Sequence, residues 1–180
     1  MNTFSAMNML DHYSSSGRYV FGLTDLRNMF PEESERGLKA SVRRLNEAGI
    51  LTRAAQGVYI YNRAAKDSYI LEHISRVIRR GEYSYISLES ALSQYGVISQ
   101  IPVDRLTLMT TGREGEFRTP WGVIEMTHTE RSLADILQGT TPTSGPLRMA
   151  LPETALRDLR RVGRNLHLVD IQEMEHVHQG

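Results

Sequence analysis

The stretch Ser34–Tyr61, SERGLKASVRRLNEAGILTRAAQGVYIY, decides how the rest of the chain is read. Leu38, Val42 and Leu45 recur at three- and four-residue spacing, so they fall on one buried face of a helix. Arg36, Lys39, Ala40 and Arg43 follow the same period half a turn away, a row of cations and one small residue pointing outward. Ala48-Gly49 stops the helix, because glycine takes the left-handed cap conformation at little cost. Ile50 to Arg53 then reads as a strand, Gln56-Gly57 as turn chemistry and Val58 to Tyr61 as the return strand. A helix with a basic outer face and a hairpin directly behind it is the pattern expected of the second half of a winged helix-turn-helix.

Upstream, Phe4, Met7 and Leu10 recur at helical spacing and predict a first helix over roughly residues 3–15, its methionines in the core, ending in the turn Ser14 to Gly17. Tyr19 to Phe21 reads as a short strand pairing with the hairpin. Thr24 is the expected N-cap of a short helix from Asp25 to Met29, with Asp25 where the helix dipole favours an acid, and Pro31 marks the following turn. The order helix, strand, helix, turn, helix, strand, strand places the third helix to enter a DNA major groove. Arg36 and Arg43 are the expected base-edge contacts, Lys39 and Arg44 the phosphate contacts, and Arg53 and Gln56 the polar residues of the wing. A solvated helix face would carry the same arginines, and Glu32, Glu33 and Glu35 at the helix start suit the dipole while repelling phosphate.

The 180 residues carry no net charge. The balance is uneven: through Lys66 there are nine Lys/Arg against six Asp/Glu, and twelve against fifteen in the remainder. The N-terminal third is thus the basic part, and nearly all its cations are arginines, whose planar fork suits phosphates and guanine edges. With no cysteine there is no disulfide framework and no thiolate metal site, which fits a reducing cytoplasm. No apolar run reaches membrane-spanning length, and MNTFSAMNMLDHY lacks the basic start and apolar core of a signal peptide, so a cytoplasmic protein with no membrane partner is expected.

From the hairpin onward the chain resembles the AbiEi family of antitoxins and transcriptional regulators. LKASVRRLNEAGILTRAAQGVYIY is similar to that family's winged-helix domain, whose wing ends in Gly-Val-Tyr, here Gly57-Val58-Tyr59. Tyr85 to Leu92, Tyr95-Gly96, Thr107 to Thr111, Thr119 to Gly122 and Thr129 to Asp135 resemble successive segments of its C-terminal domain, so the likeness spans roughly residues 18–137. The resemblance implies a type IV toxin–antitoxin component in phage defence: a repressor of its own operon, bound to double-stranded operator DNA, that counteracts a nucleotidyltransferase-like toxin encoded beside it. A palindromic operator would take two copies. The sequence departs from the family pattern in its wing turn, often arginine-rich, which here is Ala54-Ala55-Gln56.

The expected fold is therefore α+β, with a winged helix-turn-helix over 1–64 and a mixed α+β domain over 65–180. In the second domain Ile70, Leu71, Ile74, Val77 and Ile78 predict an amphipathic helix. A strand follows from Tyr83 to Ser87 and a helix from Leu88 to Tyr95, and Pro102 opens a strand-rich region. Strands are expected at Leu106 to Thr111, Glu116 to Thr119 and Val123 to Thr127, with Gly112 to Gly115 as a hairpin turn, then a helix over Glu130 to Leu137 and a loop over Gly139 to Pro146. Further on, Arg157, Arg160, Arg161 and Arg164 share one helical face while Leu156, Leu159 and Val162 line another. This second basic face is a candidate contact for DNA, RNA or the toxin, or else a solvated surface paired with Glu153 and Asp158.

No enzyme signature or cofactor motif appears. His12, His73, His128, His167, His176 and His178 have no paired-ligand or triad spacing, and Gly112 to Gly115 is too short for a phosphate loop. Glu89, Glu125, Glu130 and Asp135 would serve as a metal-dependent nuclease cluster if the fold brought them together. The alternatives to a DNA-binding antitoxin are thus a protein-interaction module working through its C-terminal domain and, further off, that nuclease.

Overall fold

The computed structural model describes residues 2–99 and 104–178, with side chains as far as Met174. It is α+β and falls into two compact units, residues 1–78 and 79–180. Pro102 lies outside the described residues, as do the side chains of His176 and His178. Among the described residues no helix is long and apolar enough to cross a membrane.

The first unit contains α1 (Thr3–Ser14), β1 (Val20–Gly22), α2 (Leu23–Met29), α3 (Glu35–Glu47), β2 (Leu51–Ala55), β3 (Val58–Tyr61) and α4 (Ile70–Ile78). Its sheet is antiparallel in the order β1-β3-β2. On α1 the core-facing stripe is Ala6, Met9, Leu10 and Tyr13, the i, i+3, i+4, i+7 set. Phe4 lies off that stripe and is 72% exposed, so it is not the core residue expected, and Met7 is half-buried. Thr24 is likewise not a cap: α2 begins a residue earlier, at Leu23, and the Asp25 carboxylate reaches back to accept the Gly22 N–H at 2.7 Å. Arg18 pairs with the same carboxylate at 2.6 Å. α4 does not open the second domain as its position suggests; it packs on β1 and β3 and belongs with the first unit. Tyr19, immediately before β1, donates to Asp67 at 2.7 Å, and the His73 ring lies 3.0 Å from the other oxygen of that carboxylate, which ties the connecting segment to the start of β1.

The second unit is built on a six-stranded mixed sheet, β6-β7-β5-β4-β9-β8. Its elements are β4 (Ser84–Ile86), α5 (Leu88–Gln94), β5 (Arg105–Thr110), β6 (Gly115–Thr119), β7 (Gly122–His128), α6 (Leu133–Gln138), β8 (Thr140–Thr141), β9 (Arg148–Ala150), α7 (Pro152–Val162), a 3-10 turn (Leu166–Leu168) and α8 (Ile171–His178). Gly112 to Gly115 is not a hairpin turn. β7 inserts between β5 and β6, parallel to the first and antiparallel to the second, so the glycine segment crosses the end of β7. The two-residue hairpin is instead Pro120-Trp121, joining β6 to β7. The segment expected as a loop over Gly139 to Pro146 begins with β8, which pairs with β9; two- and three-residue strands leave almost no periodicity to detect. Ser87 alone joins β4 to α5, and this forces Leu88 into the left-handed region at φ 57, a cost of roughly 1–2 kcal/mol set against the complete burial of its side chain.

Candidate nucleic-acid interface

α3 carries the residues singled out for DNA. Ser34 caps it by accepting the Gly37 N–H through its hydroxyl at 3.1 Å. Leu38, Val42 and Leu45 are buried in the core, with Ser41 beside them, while Arg36, Lys39, Ala40, Arg43 and Arg44 are exposed. The outward row is thus assembled as its spacing predicts. Its electrostatics are not legible from spacing alone. Lys39 is paired with Glu35 at 2.7 Å and Arg43 with Glu47 at 3.5 Å, both across one turn; the Lys39 ammonium holds the Glu35 carboxyl below the usual range. Arg44 donates to the Ser41 hydroxyl at 2.9 Å. Arg36 makes no ion pair or side-chain hydrogen bond among the described residues.

The hairpin behind α3 is short and anchored at both ends. Gly57 turns its tip at φ 71, and the Gly57 carbonyl accepts the Leu23 N–H at 2.8 Å, which fastens the tip to the start of α2. At the base, Asn46 of α3 accepts the Arg53 N–H at 3.0 Å, and the Asn62 amide donates to the Gly49 carbonyl at 2.8 Å. A bulge between Arg53 and Ala55 turns Ala54 into the core. Arg53 and Gln56 are exposed, but the Arg53 guanidinium folds back on the Ala55 carbonyl at 3.4 Å.

The second basic face is smaller than expected. α7 ends at Val162, where Gly163 takes a left-handed cap at φ 73, so Arg164 does not continue the stripe. Its guanidinium holds both oxygens of Glu89, at 2.9 and 3.2 Å, and also pairs with Glu125. Arg157, Arg160 and Arg161 remain exposed and make no ion pair among the described residues. Asp158, expected to pair with this stripe at the surface, is completely buried. It pairs with Arg131 at 2.6 Å and accepts the hydroxyls of Ser87 at 2.7 Å and Tyr85 at 3.1 Å. Burial pushes the Asp158 carboxyl up, and Ser87, Arg131 and Tyr85 only partly counter it.

No protein-family model and no curated protein sequence matches the chain. A solved structure does. The RV2827C protein from Mycobacterium tuberculosis superimposes with a TM-score of 0.59 over 100% of this chain and 73% of its own, at 13% identity. At that identity the likeness is one of fold alone, and it extends over both units.

The four carboxylates considered as a nuclease cluster are not assembled. Glu89 and Glu125 converge, but on the Arg164 guanidinium. Asp135 accepts the Ser132 hydroxyl at 2.7 Å at the start of α6, and Glu130 is exposed. Among the described residues no three His, Asp or Glu side chains are grouped to hold a metal. Arg164 instead links Glu89 to a chain of alternating charge: Glu125 is also met by Arg105 at 2.8 Å, Arg105 meets Glu116 at 3.1 Å, and Glu116 meets Arg118 at 2.9 Å. Spacing does not reveal these partners, since Glu89 and Arg164 meet only through the fold. The one local signal is Gly163, which breaks the helix before Arg164.

Proposed function

We propose that the chain is a DNA-binding transcriptional autorepressor and antitoxin acting against a nucleotidyltransferase-like toxin encoded beside it. The observation that carries the DNA-binding half is α3: a helix with its apolar face in the core and Arg36, Lys39, Ala40, Arg43 and Arg44 outward, backed by a three-stranded antiparallel sheet. The element order from α1 to β3 supports a winged helix-turn-helix over residues 1–64, with α4 packed behind it. In such a domain α3 enters the major groove, Arg36 and Arg43 reach base edges, and Lys39 and Arg44 meet phosphates. Ala40 lets the helix approach closely. The wing, tied to α2 and bearing only Arg53 and Gln56, contributes little.

The antitoxin half rests on the resemblance of Tyr85 to Leu92 and Thr129 to Asp135 to the AbiEi C-terminal domain. In the fold these segments meet, since Tyr85, Ser87 and Arg131 all bind Asp158. The exposed Arg157, Arg160 and Arg161 favour a second reading for this unit, direct contact with an acidic partner. Both contacts weaken with ionic strength, so variants separate them: Arg157→Ala/Arg161→Ala is expected to weaken the contact with the acidic partner and leave operator affinity unchanged.

The test is fluorescence anisotropy on the chain's own promoter. Arg43→Ala is expected to cost about 1–3 kcal/mol of binding, and Arg36→Ala a similar amount. Unchanged affinity in both would remove α3 from the interface. Co-expression with the neighbouring toxin gene tests the antitoxin half, and growth no better than with the toxin alone would overturn it.

A further inference from the structure

Among the described residues β6 is an outer strand of the six-stranded sheet, hydrogen-bonded to β7 on one side only. Thr119 and Gly122 close the two-residue turn, and from that pair the ladder alternates: the backbone groups of Thr119, Phe117 and Gly115 face β7, and those of Glu116 and Arg118 face outward. The side chains of Glu116 and Arg118 stand on one face of the sheet and Phe117 on the other. An outer strand ordinarily avoids pairing by carrying charge. Here the two charges are of opposite sign and flank a single residue.

We propose that β6 pairs antiparallel with β6 of a second copy of this chain, about a two-fold axis at Phe117, to make a continuous sheet through the dimer. Rotation about that axis sets Glu116 opposite the partner's Arg118 and Arg118 opposite the partner's Glu116. Both are backbone hydrogen-bonded positions, so the outward N–H and C=O groups of the two strands satisfy each other in four hydrogen bonds. Two opposite-charge cross-strand pairs form at once. Phe117 meets its own copy on the other face, where the Arg79 guanidinium already lies 5.1 Å from the ring centroid.

The charge chain makes the exchange nearly neutral within each copy. Glu116 keeps Arg105 on one carboxylate oxygen, and the other, now 2.9 Å from Arg118 of its own strand, turns to the Arg118 across the axis. Arg118 is 79% exposed and free to swing. The contact does not involve α3 and does not rest on the DNA-binding function, because it is measured on the protein alone.

The test is sedimentation equilibrium of the full chain with two single variants. Wild type is expected to show a concentration-dependent monomer–dimer equilibrium. Glu116→Arg sets like charges opposite at both pairs, and Arg118→Glu does the same with the opposite sign. Each is expected to weaken self-association at least ~tenfold while circular dichroism and the urea midpoint confirm a folded chain. Mixing the two restores complementarity, since both arginines on the strand of the Glu116→Arg chain then face acids on the strand of the Arg118→Glu chain, so a heterodimer of near wild-type affinity should form. A monomeric wild type at all concentrations, single variants that associate as wild type does, or folded single variants that fail to combine would each overturn the proposal.

Discussion

Replacing Asp158 by asparagine tests whether the second unit is organised around a buried ion pair. The substitution keeps the shape of the side chain and leaves one oxygen able to accept a hydroxyl from Ser87 or Tyr85, so what it removes is the counter-charge of Arg131. Asp158 is fully buried and the Arg131 side chain is 16% exposed, with one guanidinium nitrogen already buried and lacking a hydrogen-bond partner. Were Asp158 paired at the surface with the arginines of its own helix, as the sequence suggests, the loss would be about 0–1 kcal/mol. For a buried pair, leaving one charge uncompensated costs about 3–5 kcal/mol, and the solvent reaching Arg131 places the expected value near the lower figure. With a urea m-value of about 1–3 kcal/mol/M, a loss of ~3 kcal/mol moves the unfolding midpoint down by roughly 1–3 M. Arg131→Met alone is expected to cost a similar amount, and the double variant Arg131→Met/Asp158→Asn much less than the sum, because neither charge is then left buried alone. A midpoint shift worth less than ~1 kcal/mol for Asp158→Asn, together with additivity in the double variant, would refute the buried-pair account.

Glu89 is expected to give an acid-labile component of stability. Burial raises its carboxyl, but hydrogen bonds from Arg164 and Asn165 outweigh that and hold it below the usual range. A carboxyl depressed in the fold contributes stability above its unfolded value and loses it as the pH falls through its folded one, so the contribution should fade from about pH 5 downward. Glu89→Gln should lower the urea midpoint near neutrality and flatten its fall in acid. Gly57→Ala is expected to cost about 1–2 kcal/mol of stability in thermal unfolding. Gly57 stands at φ 71, and a methyl placed there would meet nothing within 4 Å, so the cost is one of backbone conformation alone. Operator affinity, on the proposed reading, should change little at a temperature where the variant is fully folded, because the hairpin tip carries no cation.

What is legible in the sequence follows from how far each signal reaches along the chain. α3 and its hairpin can be read residue by residue because every cue is local: the spacing of Leu38, Val42 and Leu45, the stop at Gly49 and the turn at Gly57. The same rule misplaces Phe4, because three apolar residues at helical spacing do not say which neighbouring stripe faces the core; Ala6 and Tyr13 settle that by packing. α4 falls on the other side of the expected boundary for a related reason. Its amphipathic pattern is correct, but a pattern does not name the surface it covers, and that surface is β1 and β3. Arg157 and Asp158 show the limit most sharply. They are adjacent on a helix whose polar residues all read as solvated, yet one is exposed and the other wholly buried, because Tyr85, Ser87 and Arg131 arrive from elements far away in sequence. Long-range partners of that kind leave no periodic trace.

The pairing on α3 changes what its charge can do. Lys39 and Arg43 each hold a carboxylate one turn away, so a phosphate arriving at either competes with Glu35 or Glu47, and the local charge it meets is closer to neutral than the row of cations implies. Pairs this exposed are worth little and open readily. On the proposed DNA-binding reading, their effect would be less on total affinity than on its distribution: non-specific binding, which draws only on net positive charge, would be suppressed, while a base edge offering two acceptors to an arginine fork could still draw Arg43 away from a monodentate partner. Arg36, with no internal partner among the described residues, is the α3 cation that an incoming anion would meet without competition from a carboxylate. The place where positive charge without an ion-pair partner does accumulate is α7, whose Arg157, Arg160 and Arg161 hold no carboxylate among the described residues.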